Sequence, residues 1–314
     1  MFKPLRLIRS GTKIPFAEFR LTAFTFSLLL IMGSILSLFA YGLNFGIDFR
    51  GGILMEVRSE KNVSISEIRT QLEKLKLGEI NIQKFGKDTD ILIRIQRQDG
   101  AEKEQIAAIE LVKTTLGSAV DYRRTEFVGP TVGEELKEAG LLAIGLALLS
   151  ILIYIWMRFE WQFGIGALIA LTHDIITTIG LFAVLNYEFN LATVAAILTI
   201  AGYSINDTVV VYDRVRENLR KYKKLDLLVL FNMSINETLS RTTMTSVTTL
   251  LALFSIFFFG GAVLADFALA MIWGVCIGTY SSIFIAVPLL LYVNLKRGDE
   301  DESGLQAPQD EMPK

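Results

Sequence analysis

Three charged residues stand where a sequence is otherwise apolar: Asp174 and Asp207 inside two hydrophobic runs, and Arg241 at the head of a third. A charge at membrane depth costs a few kcal/mol on insertion scales, so such groups rarely sit there without a role. An aspartate can gain and lose a proton, whereas an arginine stays protonated. A fixed cation holds a nearby carboxylate ionised and releases it when it withdraws. A titrating acid and a cation that approaches or retreats are the minimum parts of an ion-driven switch. Moving one charge through the membrane potential supplies about 2.3 kcal/mol per 100 mV.

Helical spacing groups these residues with particular neighbours. Tyr203, Asp207, Val210 and Arg214 fall on one stripe, with Gly202, Asn206 and Asp213 on the next, so Asn206 sets an amide beside the acid. Asp174 shares a face with Thr177 and Thr178, which directs these polar groups toward other helices or a wet cavity. Arg241 is in line with Thr245, Thr248, Thr249 and Ala252. Plainer readings stand beside these. Asp207 also suits an interhelical hydrogen bond that only fixes packing, and Arg241 suits snorkelling to lipid headgroups. The threonine row and the glycines suit close helix packing, and the lone His173 suits a neutral helix contact. Asp213, Arg214, Arg216 and Glu217 read as a solvated or interfacial face.

Other chemistries find little support. Asp207 follows Ser-Ile-Asn, without the Gly-x-Gly-Asp of an intramembrane aspartyl protease. Gly202-Tyr203-Ser204 is followed by Ile205, and His173 precedes it, which does not fit a Ser-His protease. No Walker A pattern occurs, so energy would come from an ion gradient or a partner. The only cysteine, Cys276, excludes an intrachain disulfide. These features predict a protein that is not an enzyme and has no cofactor or metal.

The elements that must hold these residues follow from composition. The 314 residues are 52% hydrophobic and 20% charged, with a mean hydropathy of +0.45. Charge is missing from six runs long enough to cross a bilayer: about 21–41, 138–157, 163–185, 190–212, 242–262 and 267–293. The first is too long for a signal-peptide core and reads as a retained anchor. Lys3, Arg6, Arg9, Lys13 and Arg20 precede it; Arg158, the basic loop of about 213–241 and the Lys296-Arg297 exit fall on the same side. The opposite short loops, 186–190 and 260–266, lack Lys and Arg, which places both termini in the cytoplasm. By rise alone Asp207 lies about 10 Å to the cytoplasmic side of its span's centre.

Residues 42–137 read as a small translocated domain. Periodicity gives strands at 53–58, 80–85, 90–96 and 120–128 and helices at 65–77 and 102–116, a β-α-β-β-α-β, ferredoxin-like order. The Gly46–Gly52 stretch is expected to start its sheet, with Asp48 and Arg50 as structural pairing partners. The predicted fold is thus an α-helical polytopic membrane protein with six transmembrane helices and an α+β periplasmic domain between the first two. The net charge of −2 hides an acidic tail: without residues 298–314 the chain carries +3. That tail, within a cytoplasmic 294–314, reads as disordered. The near balance removes any global charge argument for nucleic acid binding.

Several motifs are specific. They are Asn44-Phe45-Gly46-Ile47-Asp48-Phe49-Arg50-Gly51-Gly52, Phe127-Val128-Gly129-Pro130-Thr131-Val132-Gly133, the run Ala201 to Asn218 (AGYSINDTVVVYDRVREN), Leu239-Ser240-Arg241-Thr242 and Phe259-Gly260-Gly261. With them the chain, from Phe2 to about Arg297, resembles the SecF family, the smaller membrane subunit of bacterial SecD/SecF complexes in the resistance-nodulation-division superfamily. The resemblance implies a proton-motive-force-driven subunit that assists Sec-dependent export across the cell inner membrane after the ATP-driven step. It implies six further helices from SecD, and as partners the SecYEG channel, YajC, the translocating polypeptide and membrane lipid. It puts the essential acid and arginine at Asp207 and Arg241, and Asp174 and Asn206 join them as proton-coupling candidates. The coupling ion is H+, with Na+ as the alternative. Two other classes remain open: half of a small-molecule proton-coupled efflux pump, which would be expected to carry larger outer domains, and a passive scaffold for SecD and the channel.

Overall fold

The computed structural model describes residues 11–59, 64–85, 87–100, 102–117 and 120–293; the acidic tail and the first ten residues lie outside these. Six helices are long and apolar enough to cross a membrane. They are α1 (Arg20–Tyr41), α5 (Pro130–Arg158), α6 (Trp161–Leu185), α7 (Leu191–Lys221), α8 (Leu227–Phe259) and α9 (Ala262–Ser281), the last continued by a π-helical turn over Ser282–Ala286 and a short helical end to Tyr292. The middle of the bundle is α6, α7 and α9, where Ala170, Ile197, Ile200, Ala201 and Val275 are buried. Helices α1, α5 and α8 instead expose leucine and aromatic side chains, among them Leu28, Leu29, Leu141, Leu142, Leu251 and Phe258. Apolar surface of this kind is stable only against lipid or another apolar partner.

Between α1 and α5 stand β1 (Asn44–Phe45), α2 (Ile47–Arg50), β2 (Gly52–Ser59), α3 (Ile65–Glu73), β3 (Ile80–Phe85), β4 (Lys87–Ile95), α4 (Glu102–Leu116) and β5 (Val120–Val128). From β2 onward the order is the β-α-β-β-α-β read from periodicity. The sheet order is β3-β4-β2-β5, with every neighbour antiparallel. Alternate residues of the strands, including Ile53, Met55, Val57, Ile91 and Ile93, point to one face and pack under Ile68 and Leu72 of α3 and Ala108 and Val112 of α4. The other face, with Leu54, Leu92, Arg94 and Arg124, looks toward the bundle across a cavity of about 860 Å³.

Three expectations change. First, the basic stretch 213–241 is not a loop but a helical hairpin: α7 runs to Lys221, α8 starts at Leu227, and only 222–226 separate them. Val215, Leu219, Leu230, Phe231 and Ile235 bury an apolar seam between the two helices. Arg214 donates to Glu237 and Glu217, both at 2.6 Å, and Asn218 donates to Ser234 and Glu237. Arg158 pairs with Asp213, so this polar set is largely self-satisfied. Asp207 consequently sits near the middle of α7, as residue 17 of 31.

Second, of the Gly46–Gly52 stretch only Gly52 enters the domain's sheet. Asn44 and Phe45 pair in parallel with β6 (Glu188–Phe189), in the connection between α6 and α7, and α2 follows. Asp48 does not pair with Arg50; its Oδ2 accepts the Leu191 backbone N–H at 2.8 Å, at the start of α7. The sheet opens at Gly52, whose φ of +131° and closeness to the Ile95 carbonyl leave no room for a side chain. Third, α5 begins at Pro130 rather than near 138; proline suits a first helical position because its missing N–H would have no intrahelical partner there.

Candidate functional site

Helix α6 places Asp174 in the middle of the bundle, with no exposed surface. Its Oδ2 accepts Ser204 Oγ of α7 at 2.6 Å and Ser281 Oγ at the end of α9 at 2.7 Å. Its Oδ1 faces His173 Nδ1 at 3.0 Å. Three spans therefore meet on one carboxylate. Gly278 lets α9 come close to Ser204: a Cβ there would lie 3.1 Å from the serine Cβ. Thr177 and Thr178 do share the Asp174 face, but they are buried and donate to the Asp174 backbone carbonyl rather than lining a wet cavity. Short hydroxyl side chains commonly bond back to the preceding turn of their own helix.

Just past Ser281 the last span widens into its π-helical turn. The buried Tyr212 hydroxyl donates to the Ala286 carbonyl at 3.0 Å, tying α7 to that turn. A π turn shifts the backbone register and is found preferentially at functional sites. Here it lies beside the Asp174 contacts.

Asp207 is in a different setting. It is buried, and among the described residues its Oδ2 has no hydrogen-bond partner; the same holds for the hydroxyls of Tyr203, Thr208 and Thr242. Arg241 on α8 is within electrostatic reach but makes no direct ion pair with it. Arg241 and Asn206 are exposed, as are Gly202 and Thr248, so this seam lies on the outside of the six-helix unit. The Thr245 and Thr248 hydroxyls bond to their own helix backbone. The structure thus places Asp207, Asn206 and Arg241 on one open seam and Asp174 apart from it. The link between them is Ser204, one helical turn before Asp207 on α7.

Spacing did not single out Ser281 or the Arg94–Glu188 pair. Ser281 sits in an apolar run, and its partner is 107 residues away. Arg94 of β4 pairs with Glu188 of β6, joining the α+β domain to the bundle. Burial pushes the Glu188 carboxyl above its ordinary value, opposed by the Arg94 charge and helped by that of Asp48. Among the described residues no three His, Cys, Asp or Glu side chains gather as a metal site.

Comparison with known proteins adds the lineage. The family described as protein export membrane protein SecD/SecF, C-terminal, matches residues 108–296, and the SecD/SecF GG motif matches residues 36–63. A protein translocase subunit SecF from Rickettsia rickettsii is 46% identical over 93% of this chain and 96% of its own length, and that from Rickettsia bellii is 46% identical over 93% and 98%. A crystal structure of SecDF, a translocon-associated membrane protein from Thermus thermophilus, superposes with a TM-score of 0.82 at 37% identity over 92% of this chain. A structure of SecDF in its super-membrane-facing form gives 0.67 at 35% identity over 93%. The chain spans only 39% and 40% of those two SecDF chains. With its six spans, its inserted α+β domain and both sequence motifs, the chain belongs to the SecD/SecF family of protein export membrane proteins.

Proposed function

We propose that this chain is the SecF-type half of an ion-driven translocation motor, working with a SecD-type partner to assist Sec-dependent export after the ATP-driven step. The observation that carries the reading is the buried Asp207 carboxylate, whose Oδ2 lacks a hydrogen-bond partner among the described residues and which lies beside the exposed Arg241 and Asn206. A buried acid with an unfilled bonding position is costly unless a proton, an ion or a partner helix completes it. The seam faces outward, where the six spans of SecD would cover it.

In this reading Asp207 takes up and releases the ion, Arg241 is its counter-charge, and Asn206 lines the seam. Loss of the Asp207 charge frees Arg241 and changes how α7 and α8 pack against the partner. Ser204 passes the movement of α7 to Asp174, and Asp174 passes it to α9 through Ser281. The ion is H+, with Na+ the alternative. Both termini and the α7–α8 hairpin lie in the cytoplasm of an inner-membrane protein, and the α+β domain is periplasmic and ferredoxin-like. SecYEG, YajC and the exported polypeptide are the further partners, and the chain performs no catalysis of its own.

The test is reconstitution of the chain with its SecD partner, SecYEG and the ATP motor in vesicles carrying an imposed proton or sodium gradient. Wild type should accelerate completion of export when the gradient is present, while Asp207→Asn and Arg241→Met, inserted and SecD-bound, should not respond to it. A normal gradient response from either variant overturns the reading.

A further inference from the structure

At the corner where the α+β domain meets the bundle, the Arg94 guanidinium lies near Glu188 of β6 and Asp266 of α9, while the other guanidinium lining the same cavity, Arg124, is paired with Glu126. Arg94 is paired with Glu188 on the α6–α7 connection, and both side chains are largely buried, at 14% and 9% exposure. The Arg94 Nε is buried and has no hydrogen-bond partner among the described residues. Asp266, in the second turn of α9, lines the same cavity and feels both Arg94 and Glu188 electrostatically. It makes no hydrogen bond or ion pair among the described residues. The third acid nearby, Asp48, is already taken by the Leu191 N–H.

A guanidinium offers five donors in a fixed fork, so one carboxylate does not exhaust it. A partly buried carboxylate without a partner is disfavoured and gains by acquiring one. The Arg94 backbone is fixed by ladder pairing to Leu54 on one side and Asn81 on the other, so only its side chain is free to move. The cavity of about 860 Å³ gives that side chain room.

We propose that Arg94 is a positioning residue that exchanges between Glu188 and Asp266, so that the α+β domain docks either on the α6–α7 corner or on the head of α9. The present arrangement is the Glu188 state. Two discrete anchors on separate elements, β6 and α9, convert a small shift of α9 against α6 and α7 into a step of the whole domain, because packed interfaces rearrange between alternatives rather than deforming continuously. This concerns how the domain is held and does not depend on which ion drives the bundle.

The experiment is spin-label distance measurement on the full-length chain in lipid nanodiscs. Labels are placed at the exposed positions Glu67 on α3 and Val184 on α6, in a Cys276→Ser background. Glu188→Gln should replace the main distance by a second, equally narrow one, shifted by roughly 5 Å, the scale of a one-turn step between packed elements. Asp266→Asn should leave the main distance alone, and the double variant should give a broad distribution without either peak. If Glu188→Gln matches the double variant, Asp266 is no anchor, and if it matches wild type, Glu188 is none; either result overturns the proposal. Should Glu188→Gln fail to insert, Arg94→Glu combined with Asp266→Arg must give the second distance, and the original distance from that swap is equally fatal.

Discussion

Ser281 donates its hydroxyl to Asp174 at 2.7 Å, one residue before the last span changes from α-helix to π-turn. A polar contact between α6 and α9 is therefore placed where the backbone of α9 and its continuation changes register. With Ser204 on the same oxygen, Asp174 holds the three central spans together.

Removing one of these hydroxyls should loosen the bundle measurably. Ser281→Ala is expected to cost about 1 kcal/mol, the scale of an interhelical hydrogen bond in a membrane protein. Asp174→Ala should cost more, since it strands two hydroxyls and His173 at once. Denaturant titration in mixed micelles reads both, and equal effects would contradict the hub arrangement.

Asp207 should behave in the opposite way. Its Oδ2 has no hydrogen-bond partner to lose among the described residues, and a neutral amide is less costly to bury than a charge, so Asp207→Asn should leave the chain at least as stable as wild type. Gradient-dependent export should nevertheless vanish. Thermal unfolding alongside the vesicle assay separates the two effects, and a large loss of stability would return Asp207 to a packing role.

Glu188 gives a prediction in pH. Burial raises its folded carboxyl above the value of the unfolded chain, against the pull of Arg94 and with the push of Asp48. The folded state then binds more protons between those two values. The stabilisation from protonation is fully present below the unfolded value and is lost as pH rises through the folded one. The Glu188 carboxyl carbon, assigned by its absence in Glu188→Gln, should titrate at higher pH in the folded chain than in the denaturant-unfolded chain. Titration at or below the unfolded-chain midpoint would contradict the burial.

Two glycines test packing within the chain against the proposed partner surface. A side chain on Gly180 would overlap Ser34 of α1, so Gly180→Val should destabilise the chain by about 1–3 kcal/mol, as overpacking does. Gly202 is exposed on the α7 seam, and a Cβ there would meet nothing within 4 Å. Gly202→Leu should leave the purified chain as stable as wild type and reduce recovery of the SecD partner at least about tenfold, an effect of roughly 1.4 kcal/mol. Pull-down with both variants distinguishes these sites, and undiminished recovery with Gly202→Leu would move the partner surface elsewhere.

Hydrophobic runs and their missing charges were enough to locate six spans, and strand and helix periodicity was enough to order β2 to β5, because both signals are local and repeat along the chain. The same economy of charge picked out Asp174, Asp207 and Arg241, since an ionised group in an apolar run is conspicuous wherever the chain folds. Tertiary structure decided what surrounds each of them. Asp174 is enclosed by Ser204 and Ser281, whereas Asp207 and Arg241 border an open seam. It also turned the basic stretch after Tyr212 into a helical hairpin and set Arg94 on Glu188. Those outcomes depend on partners tens of residues or more away, and no periodicity along a single chain encodes which distant side chain will satisfy a buried charge.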